Sequence, residues 1–174
     1  ANAGSSLLNL TTGGSYEFKN STFANYWRYE VRKDPLLHLS DYYIFYTADE
    51  QLIFTGDLEK AYFGDCVFYG NLENEILIDK HPESSSIFNY QFDYSLLKSN
   101  DTIDDFFTHC IFNQDPLFLD PRINDYHIDS LSPVRRKGIP MGKLFDLDGV
   151  ERSELPDLGA FEWVPTPLDG KRRW

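Results

Sequence analysis

Phe63-Gly64-Asp65-Cys66-Val67-Phe68 is a phrase that the chain uses four times. It reads aromatic, two residues, Ser or Cys, a β-former, and a large apolar residue. The other copies are Phe18-Lys19-Asn20-Ser21-Thr22-Phe23, Phe92-Asp93-Tyr94-Ser95-Leu96-Leu97 and Phe107-Thr108-His109-Cys110-Ile111-Phe112. The fourth place is Ser or Cys each time. Successive copies start 45, 29 and 15 residues apart, so the repeat is not a strict array. Repeated short strands with variable connections fit a solenoid, in which each coil stacks on its neighbour. The expected fold is therefore all-β, a parallel β-helix.

In such a stack, equivalent positions lie one above another at the strand spacing. The Phe places then form an internal aromatic stack. Ser21, Cys66, Ser95 and Cys110 form a column of small residues. Asn20 and Asp65 fall just before it, where the chain must bend. A side-chain amide or carboxylate there is expected to satisfy backbone N–H groups opened by the bend. Cys66 and Cys110 would be two coils apart, roughly 9–10 Å between Cα atoms at the strand spacing. A disulfide spans less than about 7 Å, so two free, buried thiols are expected. The 45-residue gap has room for two turns of coil, with Leu36–Ile44 supplying the strand of an unmarked intermediate layer. The 15-residue gap is short for a full turn, so the last layer is expected to be irregular.

Composition agrees with a β fold. The 174 residues include 14 Phe, 11 Tyr and 3 Trp, and aromatics favour strands. Strand-like segments are Ser15–Phe23, Asp41–Tyr46, Gln51–Phe54, Ala61–Phe68, Glu75–Ile78, Ser86–Leu97 and Phe106–Phe112. Helical periodicity is weak, with one short turn expected over Asp101–Phe107. The formal net charge is −12, from 16 Lys+Arg and 28 Asp+Glu, which argues against a nucleic-acid partner. No apolar run is long enough for a transmembrane helix, so no membrane insertion by this chain is expected. Leu7-Leu8-Asn9-Leu10 reads as a strand already inside a coil, so a longer protein with earlier coils is expected.

After Phe112 the composition shifts. Residues 113–163 hold five of the nine prolines and many Asp and Gly residues, so turns replace long strands. The order is Asp115-Pro116-Leu117-Phe118-Leu119-Asp120-Pro121, Asn124-Asp125-Tyr126-His127-Ile128, Ser132-Pro133, Asp146-Leu147-Asp148-Gly149, Arg152, and Pro156-Asp157-Leu158-Gly159-Ala160-Phe161-Glu162-Trp163. This ordered series resembles the C-terminal end of right-handed parallel β-helix proteins of the pectate-lyase-like superfamily. It is similar in particular to a surface-anchored group common in Bacteroidetes and other bacteria. Residues 20–27 and 63–71 also look like coil sequences of that group. One departure is Ser132–Gly138, where Arg135, Arg136 and Lys137 stand in place of small and acidic residues.

The resemblance implies three parallel sheets and an extracellular or cell-surface location. It also implies a closing segment over the C-terminal end, for which Phe118, Tyr126, Ile128, Leu158 and Phe161 are suitable lids. The expected organisation is coils over residues 1–112, a proline-rich cap over 113–164 and a tail over 165–174, with Lys171-Arg172-Arg173 solvated.

Candidate chemistry is sparse. Asp146 and Asp148 look like the start of a calcium loop, but Glu151 and Glu154 are wrongly spaced to complete it, so a turn is the favoured reading. Calcium is the one cofactor considered; otherwise none is expected. Polysaccharide lyases of this fold need clustered carboxylates plus a basic residue. Lys19, Asp65, Asp93 and His109 sit at different repeat positions and do not make such a set. The four histidines, His38, His81, His109 and His127, lack zinc spacing. No catalytic residue is assigned. Trp27, Tyr42 and Tyr43 are candidates for a sugar-stacking platform, with packing as the plainer reading. The expected function is a non-enzymatic surface or secreted module, structural, adhesive or glycan-binding, whose partner is a polysaccharide or other surface glycan. The alternative is the trailing part of a polysaccharide lyase or related enzyme, with its active site on other coils. Nothing in the sequence prescribes an oligomeric state.

Overall fold

The computed structural model describes residues 2–102 and 105–165. The protein is all-β. Its strands are β1 (Leu8–Leu10), β2 (Gly14–Lys19), β3 (Thr22–Asn25), β4 (Leu37–Ser40), β5 (Tyr42–Tyr46), β6 (Gln51–Thr55), β7 (Leu58–Gly64), β8 (Val67–Gly70), β9 (Ile76–Asp79), β10 (Phe88–Asp93), β11 (Leu96–Leu97), β12 (Phe107–Thr108), β13 (Ile111–Phe112), β14 (Phe118–Asp120) and β15 (Asp125–Ile128). Among the described residues the helical content is one 3₁₀ turn, Pro121–Ile123.

Three sheets are parallel, and the chain visits them in rotation. Their strand orders are β1-β4-β9, β2-β7-β10-β12 and β3-β8-β11-β13. The four repeat copies lie in register: Phe18 pairs with Phe63, Phe63 with Phe92, and Phe92 with Phe107. One step on, Phe23, Phe68, Leu97 and Phe112 form the next ladder. The rings stack where two layers meet face to face, Phe18 on Phe63 at 5.4 Å and Phe63 on Phe92 at 4.6 Å. Phe63, Phe68 and Phe92 are fully buried and, with Leu37, Leu39, Leu58 and Leu97, build the core.

Each copy is a strand, a bend and a second strand. The bend residues Asn20, Asp65, Tyr94 and His109 all take positive φ, between 45° and 55°. Asn, Asp and His accept that conformation more readily than most residues; Tyr does so less well. Tyr94 stacks on His109 at 4.5 Å. The next residue of each copy donates a hydrogen bond to the carbonyl two residues back. Ser21 Oγ donates to Lys19 O, Cys66 Sγ to Gly64 O, Ser95 Oγ to Asp93 O, and Cys110 Sγ to Thr108 O. Ser and Cys share that ability and a small size, which explains why the fourth place accepts either.

Several expectations are corrected. The 45-residue gap holds no extra layer, because β2 pairs directly with β7. Leu37–Ser40 instead serves the first sheet, between β1 and β9. The surplus length is an antiparallel hairpin, β5–β6, closed by Thr47 N donating to Glu50 O. The bend side chains do not bind their own backbone. Asn20 Nδ2 donates to Asp65, and Asp65 accepts from Ile139 N at 3.1 Å. Both cysteines are free, but Cys110 is only half-buried, since its layer is the last in its sheet. Over Asp101–Phe107 the described part is a turn at Asp105-Phe106 leading into β12, while residues 103 and 104 lie outside the described residues. So do residues 166–174, and with them the basic tail. The last repeat copy contributes two-residue strands to two sheets and, among the described residues, none to the first.

The proline-rich segment does not plug the end of the stack. In the third sheet, alternate side chains point outward: Thr22, Val67, Leu96 and Ile111. Buried Val67 and Leu96 pack with Ile128, Val134 and Leu158, joined by Ile111, Phe118 and Trp163. Among the described residues, nothing after Phe112 packs against the internal core cluster. The segment therefore sheathes the outer face of the third sheet, which is apolar and has to be covered. Its backbone is moored by Gly159 N donating to Asp65 O and Ala160 N to Thr22 Oγ1. Only glycine fits at 159, where φ is 92° and a Cβ would lie 2.5 Å from Thr22 Oγ1.

Candidate functional site

A cleft of about 650 Å³ opens where the loop after β3 meets the β14–β15 hairpin of the sheath. Tyr26, Trp27, Arg28 and Tyr29 supply one wall; Asp120, Arg122 and Asn124 supply the other. Trp27 and Tyr29 meet edge to face at 4.9 Å, and Tyr29 is 77% exposed. Asn2 and Asn71 complete the polar rim.

The loop is held from beneath. Asn25 is fully buried; its Nδ2 donates to Ala3 O and Ser5 O, and its Oδ1 accepts from Ala3 N and Trp27 N. Asn71 Nδ2 donates to Trp27 O at 2.9 Å. Below these, Arg32 pairs with Glu75, both side chains essentially out of water. Glu75 also accepts from Leu36 N and Leu72 N, and Arg32 Nη1 donates to Asp34 O. The two charges thus meet each other and further backbone groups, with Arg32 Nε left buried without a hydrogen-bond partner. A side chain at Gly70 would strike Glu75 and the Asn25 carbonyl, so that strand must end on glycine.

The opposite wall is equally set. Asp120 caps the 3₁₀ turn and grips Arg122 through Nε and Nη2, both at 2.9 Å. That hydrogen bonding holds the exposed Asp120 carboxyl below its ordinary value. Tyr26 is wedged between Phe118 and Tyr126, and burial pushes its phenol above the usual tyrosine range. Arg28 lies against Tyr29, 5.9 Å from the ring centre, and makes no hydrogen bond or ion pair with any described residue.

Of the three aromatic candidates, Trp27 lines this cleft and Tyr42 and Tyr43 do not. They lie on the β5–β6 hairpin. Tyr42 donates its hydroxyl to Asp79, which raises its phenol, and Tyr43 stands opposite Phe54 with half of its surface exposed. Asp146 forms a turn: Oδ1 accepts from Asp148 N and Val150 N, and Oδ2 from Glu162 N. Asp148 meets His127 Nε2 at 2.7 Å, while His127 Nδ1 lies 2.6 Å from Asp125. Among the described residues no cluster of three or more His, Cys, Asp or Glu is placed to hold a metal ion.

The thiols are poor nucleophiles here. Burial pushes Cys66 up to about 12 and Cys110 to about 11. Lys19 and Asp93 in fact share one repeat position, and Asp65 and His109 the next, but the members of each pair lie two layers apart and make no set. Arg32, Glu75, Arg122 and Asn124 were not site candidates in the sequence. No short-range pattern links Arg32 to Glu75 or Arg28 to Arg122; only the fold brings them together. Among the described residues no helix is long and apolar enough to cross a membrane. Comparison with protein-family models, with curated proteins and with solved structures returns no match.

Proposed function

We propose that this chain is a non-enzymatic, cell-surface or secreted β-helix module that holds a glycan in the cleft at Trp27. The observation that carries the reading is the pairing of Trp27 and Tyr29 with a rim of Asn71, Asn124, Arg28, Asp120 and Arg122. Sugar rings present apolar C–H faces that stack on aromatic rings, and hydroxyls that bridge amides, carboxylates and guanidinium groups. A concave site with few convergent polar groups is the usual form of a small-ligand site. Structural pins beneath the loop keep that surface pre-organised, which lowers the entropic cost of binding.

The architecture fits the same proposal. Three parallel sheets visited in rotation suit a right-handed parallel β-helix, because parallel crossovers are right-handed in about 98% of cases. The resemblance of residues 115–163 to the pectate-lyase-like superfamily supports both this fold and a surface location.

The test is titration with neutral and acidic oligosaccharides (cello-, manno-, xylo- and galacturono-series) by calorimetry and tryptophan fluorescence. Binding without turnover is the expected result. Exposed Tyr29→Ala is expected to weaken it by about tenfold, the scale of one lost aromatic contact. Absence of binding to every series, or production of unsaturated sugars by the unmodified chain, overturns the proposal.

A further inference from the structure

The outer edges of β2 and β3 carry a second groove. Among the described residues these strands are the edge members of their sheets, with one side of each unpaired. Phe18 and Phe23 present the same contrast. Each stacks on an inner neighbour, Phe18 on Phe63 and Phe23 on Phe68 at 4.7 Å. The neighbours are fully buried, whereas Phe18 and Phe23 are only half-buried. The first repeat copy is thus a layer with one face finished and one face open.

The sheath continues past that layer. It covers Val67 and Leu96 with Leu158, Val134 and Ile128, and reaches Thr22 through Ala160. Lys143, Phe145 and Leu147 then stand beside Phe18–Phe23, and the two walls enclose a groove of about 510 Å³. Phe145 is 57% and Leu147 75% exposed. They are nonetheless held in place: Phe145 bridges to Glu151, Leu147 N donates to Ala160 O, and Asp146 accepts from Glu162 N. Asn20 Oδ1, at the bend beside the groove, is buried without a hydrogen-bond partner. A fixed apolar wall, a free strand edge and two half-covered rings face one slot.

We infer that this groove seats a further strand–bend–strand copy of the repeat, supplied by polypeptide on the amino-terminal side of residue 1. The occupant lies parallel to β2 and β3. Its two aromatic or large apolar residues cover Phe18 and Phe23, and its outward side chain rests on Phe145 and Leu147, as Val67 rests on Leu158 one layer below. The argument for this occupant is continuity with the interface already built between sheath and third sheet. An open parallel edge is a template for one more strand. The inference is independent of the glycan reading, since cleft and groove share no lining residue.

The experiment compares residues 1–174 with the chain extended by its natural upstream coding sequence, using amide hydrogen exchange. Outward-facing amides of β2 and β3 exchange freely in the shorter chain and gain about 100-fold protection in the longer one, the scale expected when an edge becomes interior. Phe145→Asp with Leu147→Asp removes that gain while leaving the folded shorter chain unchanged, because both side chains are exposed there. Unchanged protection in a folded extended chain overturns the inference. So does a gene in which only a cleaved leader precedes residue 1. Sedimentation showing that the shorter chain buries the edge by self-association also overturns it.

Discussion

The third sheet is covered on both faces, by two regions built on opposite principles. Inside, Phe23, Phe68, Leu97 and Phe112 face a core made by repetition. Outside, Val67, Leu96 and Ile111 face a sheath that repeats nothing. In the repeated region the strands pair layer upon layer, so side chains are left free to pack. The sheath between Asp129 and Trp163 has no ladder; it has the isolated Phe145–Glu151 bridge and scattered backbone bonds such as Gly138 N to Pro156 O and Leu158 N to Val134 O. Carboxylates meet several of its other backbone donors. Asp157 accepts from Arg136 N and Trp163 N; Glu162 accepts from Asp157 N and pairs with Arg152. Arg152 in turn donates to the carbonyls of Asp157 and Gly159. Repetition satisfies a backbone with other backbone in ladders, whereas the irregular chain adds charged side chains to its scattered backbone bonds.

The sharpest break of this contrast is Phe63→Ala. Phe63 is fully buried and stacks on rings above and below. A loss of about 3–5 kcal/mol is expected by urea denaturation, with ladder and sheath unfolding together. Arg152→Met acts on the other region. It leaves Glu162 buried without its cation, at an expected cost of about 2–4 kcal/mol. Hydrogen exchange is expected to rise in residues 130–163 before it rises in β7 and β8. Simultaneous loss in both would show the sheath and the ladders to be one cooperative unit.

Asp65 joins the two regions and adds a pH dependence. Burial pushes its carboxyl up to about 7, against the lowering effects of Ile139 N, Arg152 and Asn20. The folded value lies above the unfolded one, about 3.9. The group therefore adds stability while protonated, below about pH 4, and that contribution is lost as pH rises through about 7. Asp65→Asn is expected to raise stability at pH 8 by about 1–3 kcal/mol, the desolvation scale of an imperfectly paired buried group, and to flatten the profile between pH 4 and 7. A variant less stable than the parent at pH 8 would contradict this. The smallest expected effect on folding is that of Tyr29→Ala, at the cleft where the two regions meet. Its unfolding midpoint is expected within about 0.5 kcal/mol of the parent, as for exposed sites generally, while glycan affinity falls.

Legibility followed the same division. Phe18, Phe63, Phe92 and Phe107 were found in register from spacing alone, as was the Ser21–Cys66–Ser95–Cys110 column, because a stack places equal positions over one another. Leu37–Leu39 was misplaced because a bare apolar run carries no mark of which sheet it serves. The sheath's apolar residues were visible, but not the surface they cover. Trp27 was a visible candidate within the run Tyr26–Tyr29; Arg122 and Asn124, on the opposite wall, were not, being remote from it in sequence.

The sequence by itself determined an all-β chain, the four-fold phrase and the order in which its copies meet. These follow from local rules: strand preference, a tight bend at positive φ, and a small hydroxyl or thiol to meet the carbonyl two residues back. Only the tertiary structure decided that residues 118–163 lie along the third sheet, that Arg32 meets Glu75, and that residues 26–29 and 120–124 enclose a cleft. Those outcomes depend on matching surfaces between segments with no shared repeat. Such matching is a property of shapes and charges in space, and no spacing along the chain encodes it.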